Sequence, residues 1–92
     1  MIQVKNLSGE VIAEVEGCDT FDADFSFLDL QFADFRGWDL SNASFASADL
    51  HGADFTGADL EYSDIADALD LSDTVFDDAR MPYKSHKAHL GF

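Results

Sequence analysis

Residues 47–60 read SADLHGADFTGADL, and in this stretch an Ala, an Asp and a large apolar residue return every five positions. A strand alternates with a period of two and an α-helix with a period of 3.6, so neither explains a period of five. Five residues turn an α-helix through about 500°, which would scatter the apolar side chains around its axis. The repeat instead predicts a chain that coils around an axis and stacks on itself.

The same pattern extends to both sides, from about residue 18 to residue 81. In each five residues we expect one large and one small side chain to point inward and the Asp between them to point outward, as in a strand. The other two positions are mostly small or polar, which is typical of turns, and the Asp can accept hydrogen bonds from turn amides. The large inward side chains, termed the core ladder, are Phe25, Leu30, Phe35, Leu40, Phe45, Leu50, Phe55, Leu60, Ile65, Leu71, Phe76 and Met81.

The nine consecutive matches centred on residues 25 to 65 closely resemble the pentapeptide-repeat family, whose motif is A(D/N)LXX. The resemblance covers about residues 18–81. The sequence departs from the motif at Leu28, Trp38, Ser44 and Ser63. Membership implies an all-β fold, namely a right-handed quadrilateral β-helix (a β-solenoid) of about three coils, with four five-residue faces to each coil.

A coil of twenty residues predicts which core residues stack. Phe45 is expected to lie over Phe25, and Phe55 over Phe35. The five-residue frame then slips by one position, which predicts a one-residue bulge within residues 66–70, with Leu69 or Ala68 as the small partner of Leu71. Three coils at strand spacing would give a rod about 14 Å tall.

The chain is predicted to be a single pentapeptide-repeat domain, 1–92, with the coils at 18–81. Residues 1–17 are expected to form a β-hairpin, with strands near 2–6 and 10–16, that caps the exposed apolar end of the stack. Residues 82–92 are expected to form a C-terminal cap or tail, because Pro82 breaks the frame. Counting back twenty positions would place Ala13 over Ala33 and would bury Cys18 over Trp38.

The charge pattern limits the partners. The chain has 19 acidic residues against five Lys and Arg, a net charge of -14, and every acid lies between Glu10 and Asp78. Such a body should repel nucleic acid and anionic lipid, so we expect no direct nucleic-acid or membrane binding and favour a basic protein partner. The N-terminal residues lack a secretion-signal pattern and there is one cysteine, which together favour the cytoplasm.

Motifs for chemistry are few. The sequence has no phosphate-binding glycine loop, zinc-type Cys/His set or EF-hand. Catalytic carboxylates need two different environments, whereas this repeat offers one environment many times. We therefore predict no enzyme activity, no cofactor and no metal. His86 and His89, three residues apart, could share a helix face as metal ligands, but a solvated cap or tail is the favoured interpretation.

Phe27 and Phe32 occupy corner positions that should face outward. Two interpretations stay open. Leu7 and Ile12, twenty residues earlier, would cover the two rings, or the rings would form an exposed aromatic patch for self-association or for a partner.

These features favour a rigid structural or protein–protein interaction module, monomeric or homodimeric, of unknown partner. The alternative comes from the family resemblance: some relatives are long acidic rods that mimic duplex DNA and bind DNA gyrase, so DNA gyrase or another DNA-binding protein would be the partner. A rod about 14 Å tall spans only about four base pairs, which weighs against mimicry.

Overall fold

The computed structural model describes residues 1–82 of the chain. The regular elements are strand β1 (Ile2–Lys5), strand β2 (Val11–Val15) and a 3-10 helix (Ile65–Asp67). This described part contains no α-helix, and none of its helical residues form a segment that could cross a membrane. The rest of its backbone pairs through isolated bridges between distant residues.

The bridges between repeats are parallel and fall into four rows. We use the first, second and third coil as names for residues 21–40, 41–60 and 61–81. The bridges join residues twenty apart between the first and second coils, as in Asp29 with Asp49, and 21 apart between the second and third, as in Asp49 with Asp70. The backbone bonds on either side are regular: Leu30 N–H donates to Asp49 O at 2.8 Å, and Asp49 N–H donates to Leu28 O at 2.9 Å. The backbone thus returns above itself once every twenty or 21 residues.

Tight turns join successive rows. In most of them, an N–H donates to the carbonyl three residues earlier, for example Ala48 N–H to Phe45 O at 3.0 Å. The third residue of the turn has a positive φ while the second does not, which is the pattern of a type II turn. Glycine fills this third position at Gly37, Gly52 and Gly57. Non-glycine residues fill it at Asp22, Phe27, Phe32, Asn42, Ser47, Tyr62, Asp73 and Asp78.

The core ladder fills the interior. Its members from residue 25 to residue 65 have no exposed surface: Phe25, Leu30, Phe35, Leu40, Phe45, Leu50, Phe55, Leu60 and Ile65. The rings of Phe25 and Phe45 stack with centroids 5.3 Å apart, and those of Phe35 and Phe55 stack at 4.9 Å. The last members, Leu71, Phe76 and Met81, are partly buried against this core.

The N-terminal hairpin lies on the first coil through β1. Strand β1 pairs with β2 in antiparallel register, with Val4 opposite Ala13. On its other side the chain forms an antiparallel bridge between Asn6 and Ala33, and Asp34 N–H donates to Lys5 O at 2.8 Å. Val4 is therefore fully buried, as part of the core.

Two details predicted for this end were wrong. Ala13 does not lie over Ala33, because β1 rather than β2 occupies the layer above the first coil. Cys18 is exposed, not buried. Since β2 is the outer strand, the chain must pass outside the stack before it enters the first coil, and residues 16–19 are all exposed.

The frame slip is a bulge at the third coil. Leu69 N–H donates to Ala48 O at 2.8 Å and Asp70 O accepts from Leu50 N–H at 2.9 Å, so two residues lie opposite Asp49. Ala68 packs against the core, whereas Leu69 is 72% exposed. The predicted C-terminal cap, with His86 and His89, lies outside the described residues except for Pro82.

The 3-10 helix interrupts the backbone ladder just before this bulge. Where a carbonyl of the third coil would face Phe45, the carboxylate of Asp64 accepts the Phe45 N–H instead. The same carboxylate accepts the Ser44 hydroxyl at 3.0 Å. A side chain therefore completes the ladder where the main chain departs from it.

Candidate protein-contact face

Two phenylalanines project from neighbouring corners of the first coil. Phe27 is 78% exposed and Phe32 is 50% exposed, so of the two interpretations the structure favours the exposed patch. Leu28 lies between them in the chain and is partly buried. Leu7 adjoins Phe32, to whose carbonyl its N–H donates at 2.9 Å. We term Leu7, Phe27, Leu28 and Phe32 the aromatic face.

The backbone at both phenylalanines is unfavourable for a bulky side chain. Their φ angles are 64° and 62°, in the left-handed region. This region costs an L-residue about 1–2 kcal/mol, and glycine avoids the cost. Equivalent corners use Gly37, Gly52 and Gly57, so the fold does not require a ring there. The chain therefore keeps two large rings outside at a cost to stability.

The ring of Phe32 is held in place by the second coil. A Cβ added to Gly52 would lie 2.5 Å from two atoms of this ring, so glycine leaves the room that the ring fills. The ring also meets the His51 imidazole edge to face, with centroids 5.4 Å apart. His51 Nδ1 is in turn 2.7 Å from Ser72 Oγ of the third coil. The orientation of Phe32 is thus set by its neighbours.

A column of carboxylates runs along the row between the two corners. It consists of Asp29, Asp49 and Asp70, and we term it the carboxylate column. Each uses Oδ1 to accept the N–H two residues later, at 3.2, 3.1 and 2.8 Å respectively. The second oxygen, Oδ2, takes no part in these bonds and can accept from another donor.

The same turn bond recurs outside the column. Asp24, Asp34, Asp39, Asp54 and Asp59 also accept the N–H two residues later. The Asp of the repeat therefore stabilises the turn that follows it. Hydroxyl groups strengthen several of these bonds: Ser72 Oγ donates to Asp70 at 2.6 Å and holds the pKa of that carboxyl below its usual value.

The cations of the described residues lie on other faces. Arg36 makes two bonds to Asp34, at 2.8 and 2.9 Å, and this side-chain contact lowers the pKa of the Asp34 carboxyl. Arg80 lies 3.6 Å from Asp59 and 3.4 Å from Glu61. Within residues 1–82, no Lys or Arg comes within ion-pair distance of the carboxylate column.

A shallow depression lies beside the hairpin on the face next to the column, lined by Gln3, Lys5, Asp34, Arg36 and Trp38. Its charged side chains are Lys5, Asp34 and Arg36, and Asp34 pairs with Arg36. In the part of the chain that the structure describes, no three His, Cys, Asp or Glu side chains are grouped so that they could hold a metal ion. The aromatic face with its carboxylate column is therefore the most distinctive surface for recognition.

Sequence reasoning named Phe27 and Phe32 but missed a third ring of the same type. Tyr62 is 69% exposed with a φ of 63°, at the equivalent corner two residues after Leu60. The signal was available, because the position two residues after each core residue is the outward corner. The contact between Phe32 and Gly52 could also have been predicted, because the two residues are one coil of twenty residues apart.

Comparison with known proteins agrees with the repeat. The model of the family "Pentapeptide repeats" matches residues 23–61 in eight copies. The repeat segment of this chain belongs to the pentapeptide-repeat family. Pentapeptide repeats generally form a β-helix, in keeping with the parallel rows described above. The match ends before the 3-10 helix and the bulge, where the five-residue frame is broken. No curated protein matches the chain.

Proposed function

We propose that this pentapeptide-repeat protein is a non-enzymatic interaction module. In this proposal the repeats form a right-handed quadrilateral β-helix of about three coils, capped by the hairpin. The stacked coils hold the aromatic face in a fixed geometry, and that face binds another protein. Repeat proteins of this kind present rigid surfaces for binding, because each coil is fixed by its neighbours.

One observation carries the proposal: Phe27 and Phe32 are exposed rings in a backbone conformation that favours glycine. Burial of a Phe side chain contributes about 1.5–3 kcal/mol, but only when the ring leaves water. Here the 78% exposed ring of Phe27 gains little from burial and the 50% exposed ring of Phe32 gains about half, while the conformational cost remains at both. Costs of this kind cluster at binding sites, where a ligand recovers them.

Glycine substitutions test the proposal without disturbing the coil, since glycine is the residue best suited to these corners. Immobilised wild type and the variant with Phe27→Gly and Phe32→Gly would be used to capture partners from source cells. The control is Tyr62→Gly, which removes a 69% exposed ring with a similar positive φ from another corner.

We expect specific capture by wild type and by Tyr62→Gly, and loss of the same protein with the double variant. Circular dichroism and thermal unfolding would show that all three proteins fold. Equal capture by the double variant would place the interface elsewhere and remove the proposal.

A further inference from the structure

We infer that the segment bound by the aromatic face is cationic as well as apolar: its apolar side chains pack on Phe27 and Phe32 while its Lys or Arg side chains meet the carboxylate column. This inference rests on the proposed function and specifies the chemistry of the partner. The occupant is thus a basic, apolar segment of another protein.

The distribution of cations supports this chemistry. On the next two rows, Arg36 and Arg80 neutralise part of the negative charge through Asp34 and Asp59. Among residues 1–82 no Lys or Arg pairs with the carboxylate column, although the column begins between the two corners that carry the exposed rings. A bound segment with positive charge would supply counter-charges that the Lys and Arg side chains of residues 1–82 do not provide there.

The geometry of the column fits several cations at once. Its members belong to successive coils, so their spacing is that of neighbouring strands, about 4.8 Å. Three like charges at this spacing repel one another. Since each Asp commits Oδ1 to its own turn, each can offer Oδ2 to a Lys or Arg. Binding would relieve the repulsion and form charge-assisted hydrogen bonds.

The rings extend the same preference. The faces of Phe27 and Phe32 attract a Lys or Arg held within about 6 Å, and they pack equally well against aliphatic side chains. A second copy of this chain is a poor occupant, because each copy carries a net charge of -14 and two apposed faces would bring two carboxylate columns together.

Peptide titration tests the inference with a defined probe. The probe is an amidated seven-residue peptide of alternating Lys and Leu, and its control replaces every Lys by Glu. Binding would be followed by calorimetry and by amide chemical shifts of the labelled protein. We expect the Lys peptide to bind and the Glu peptide not to bind, and we expect this binding to weaken with added salt. The amide shift changes should centre on residues 27–32 and on residues near Asp49 and Asp70.

Two charge variants separate a local effect from general attraction. The first carries Asp29→Asn, Asp49→Asn and Asp70→Asn; Asn keeps the side-chain oxygen that accepts the turn N–H and loses only the charge. The control carries Asp24→Asn, Asp39→Asn and Asp54→Asn, one from each of the other rows, with the same net charge. We expect the first variant to bind the Lys peptide about tenfold more weakly, because it loses three exposed ion pairs with the peptide. We expect the control variant to bind less than about twofold more weakly.

The outcomes distinguish this inference from the proposed function. Equal weakening by both charge variants, equal binding of the Glu peptide, or no binding of the Lys peptide would overturn the inference. If capture from cells still depends on Phe27 and Phe32 in those cases, the proposed function stands. Light scattering that shows a dimer lost on Phe27→Gly with Phe32→Gly would assign the face to a second copy and would also overturn the inference.

Discussion

Replacement of Phe45 by Ala removes a ring from the centre of the stack. Phe45 is fully buried, stacks on Phe25 at 5.3 Å and meets Phe35 and Phe55 edge to face at 5.7 Å each. Loss of a buried Phe costs about 3–5 kcal/mol, which includes the cavity left behind. Coils above and below restrict relaxation into that cavity, so we expect a value in the upper half of this range.

The change would be measured as the free energy of unfolding by urea titration, with equal slopes required for wild type and variant. Phe27→Ala provides the internal control, because the same chemical change at a 78% exposed ring should cost under about 0.5 kcal/mol. A loss below about 1 kcal/mol for Phe45→Ala would contradict the packing described here.

Three further predictions concern single contacts. Ser63 is 5% exposed and, among the described residues, its hydroxyl has no hydrogen-bond partner; Ser63→Ala should therefore stabilise the protein by about 1 kcal/mol in the same urea titration. Gly52→Ala should destabilise, by about 1–2 kcal/mol from its φ of 72° and by more from the clash with Phe32. Adding Phe32→Ala to the Gly52→Ala variant should remove the clash and recover only that part of the lost stability. If the losses from the two substitutions are additive in this double-mutant cycle, the contact between residues 52 and 32 is excluded. Serine hydroxyls that donate to Asp24, Asp39 and Asp70 lower the pKa of each carboxyl below its ordinary 3.8. A carboxyl with a lowered pKa stabilises the folded protein. This stabilisation is fully present above the pKa of the unfolded chain and is lost as the pH falls through the pKa of the folded protein, so thermal unfolding should show the loss below about pH 4. The variant with Asn at all three positions should show a weaker loss, and an unchanged pH profile would contradict these bonds.

Much of the stack was predictable because one period determines it. Phe25 and Phe45 share a column since they are twenty residues apart, and the structure stacks their rings. The bulge was also predictable, because Leu71 follows Ile65 by six residues, whereas the earlier core residues are five apart. The turn bonds of the Asp residues follow from the local chemistry of Asp before a turn.

The hairpin and its consequences were less predictable. The period says nothing about which hairpin strand lies on the first coil, so Cys18 was placed inside although it lies outside. The exposure of Phe27 and Phe32 depended on the same path, because covering them required Leu7 and Ile12 to follow the repeat register. That no Lys or Arg of residues 1–82 pairs with the carboxylate column depends on side-chain reach, which spacing alone does not give.

The DNA-mimic alternative stays a prediction. The longest dimension of the part of the chain that the structure describes is 32 Å, which corresponds to about nine base pairs of duplex DNA. Inhibition of gyrase supercoiling, weakening with added salt, is the measurement that bears on it.

The most direct measurement is the relaxation of phenylalanine ring protons by a soluble paramagnetic agent. The account predicts strong relaxation for Phe27 and Phe32, which contact solvent, and little for Phe25, Phe35, Phe45 and Phe55, which have no exposed surface. Equal relaxation of all six rings, or protection of Phe27 and Phe32 in the isolated protein, would contradict it.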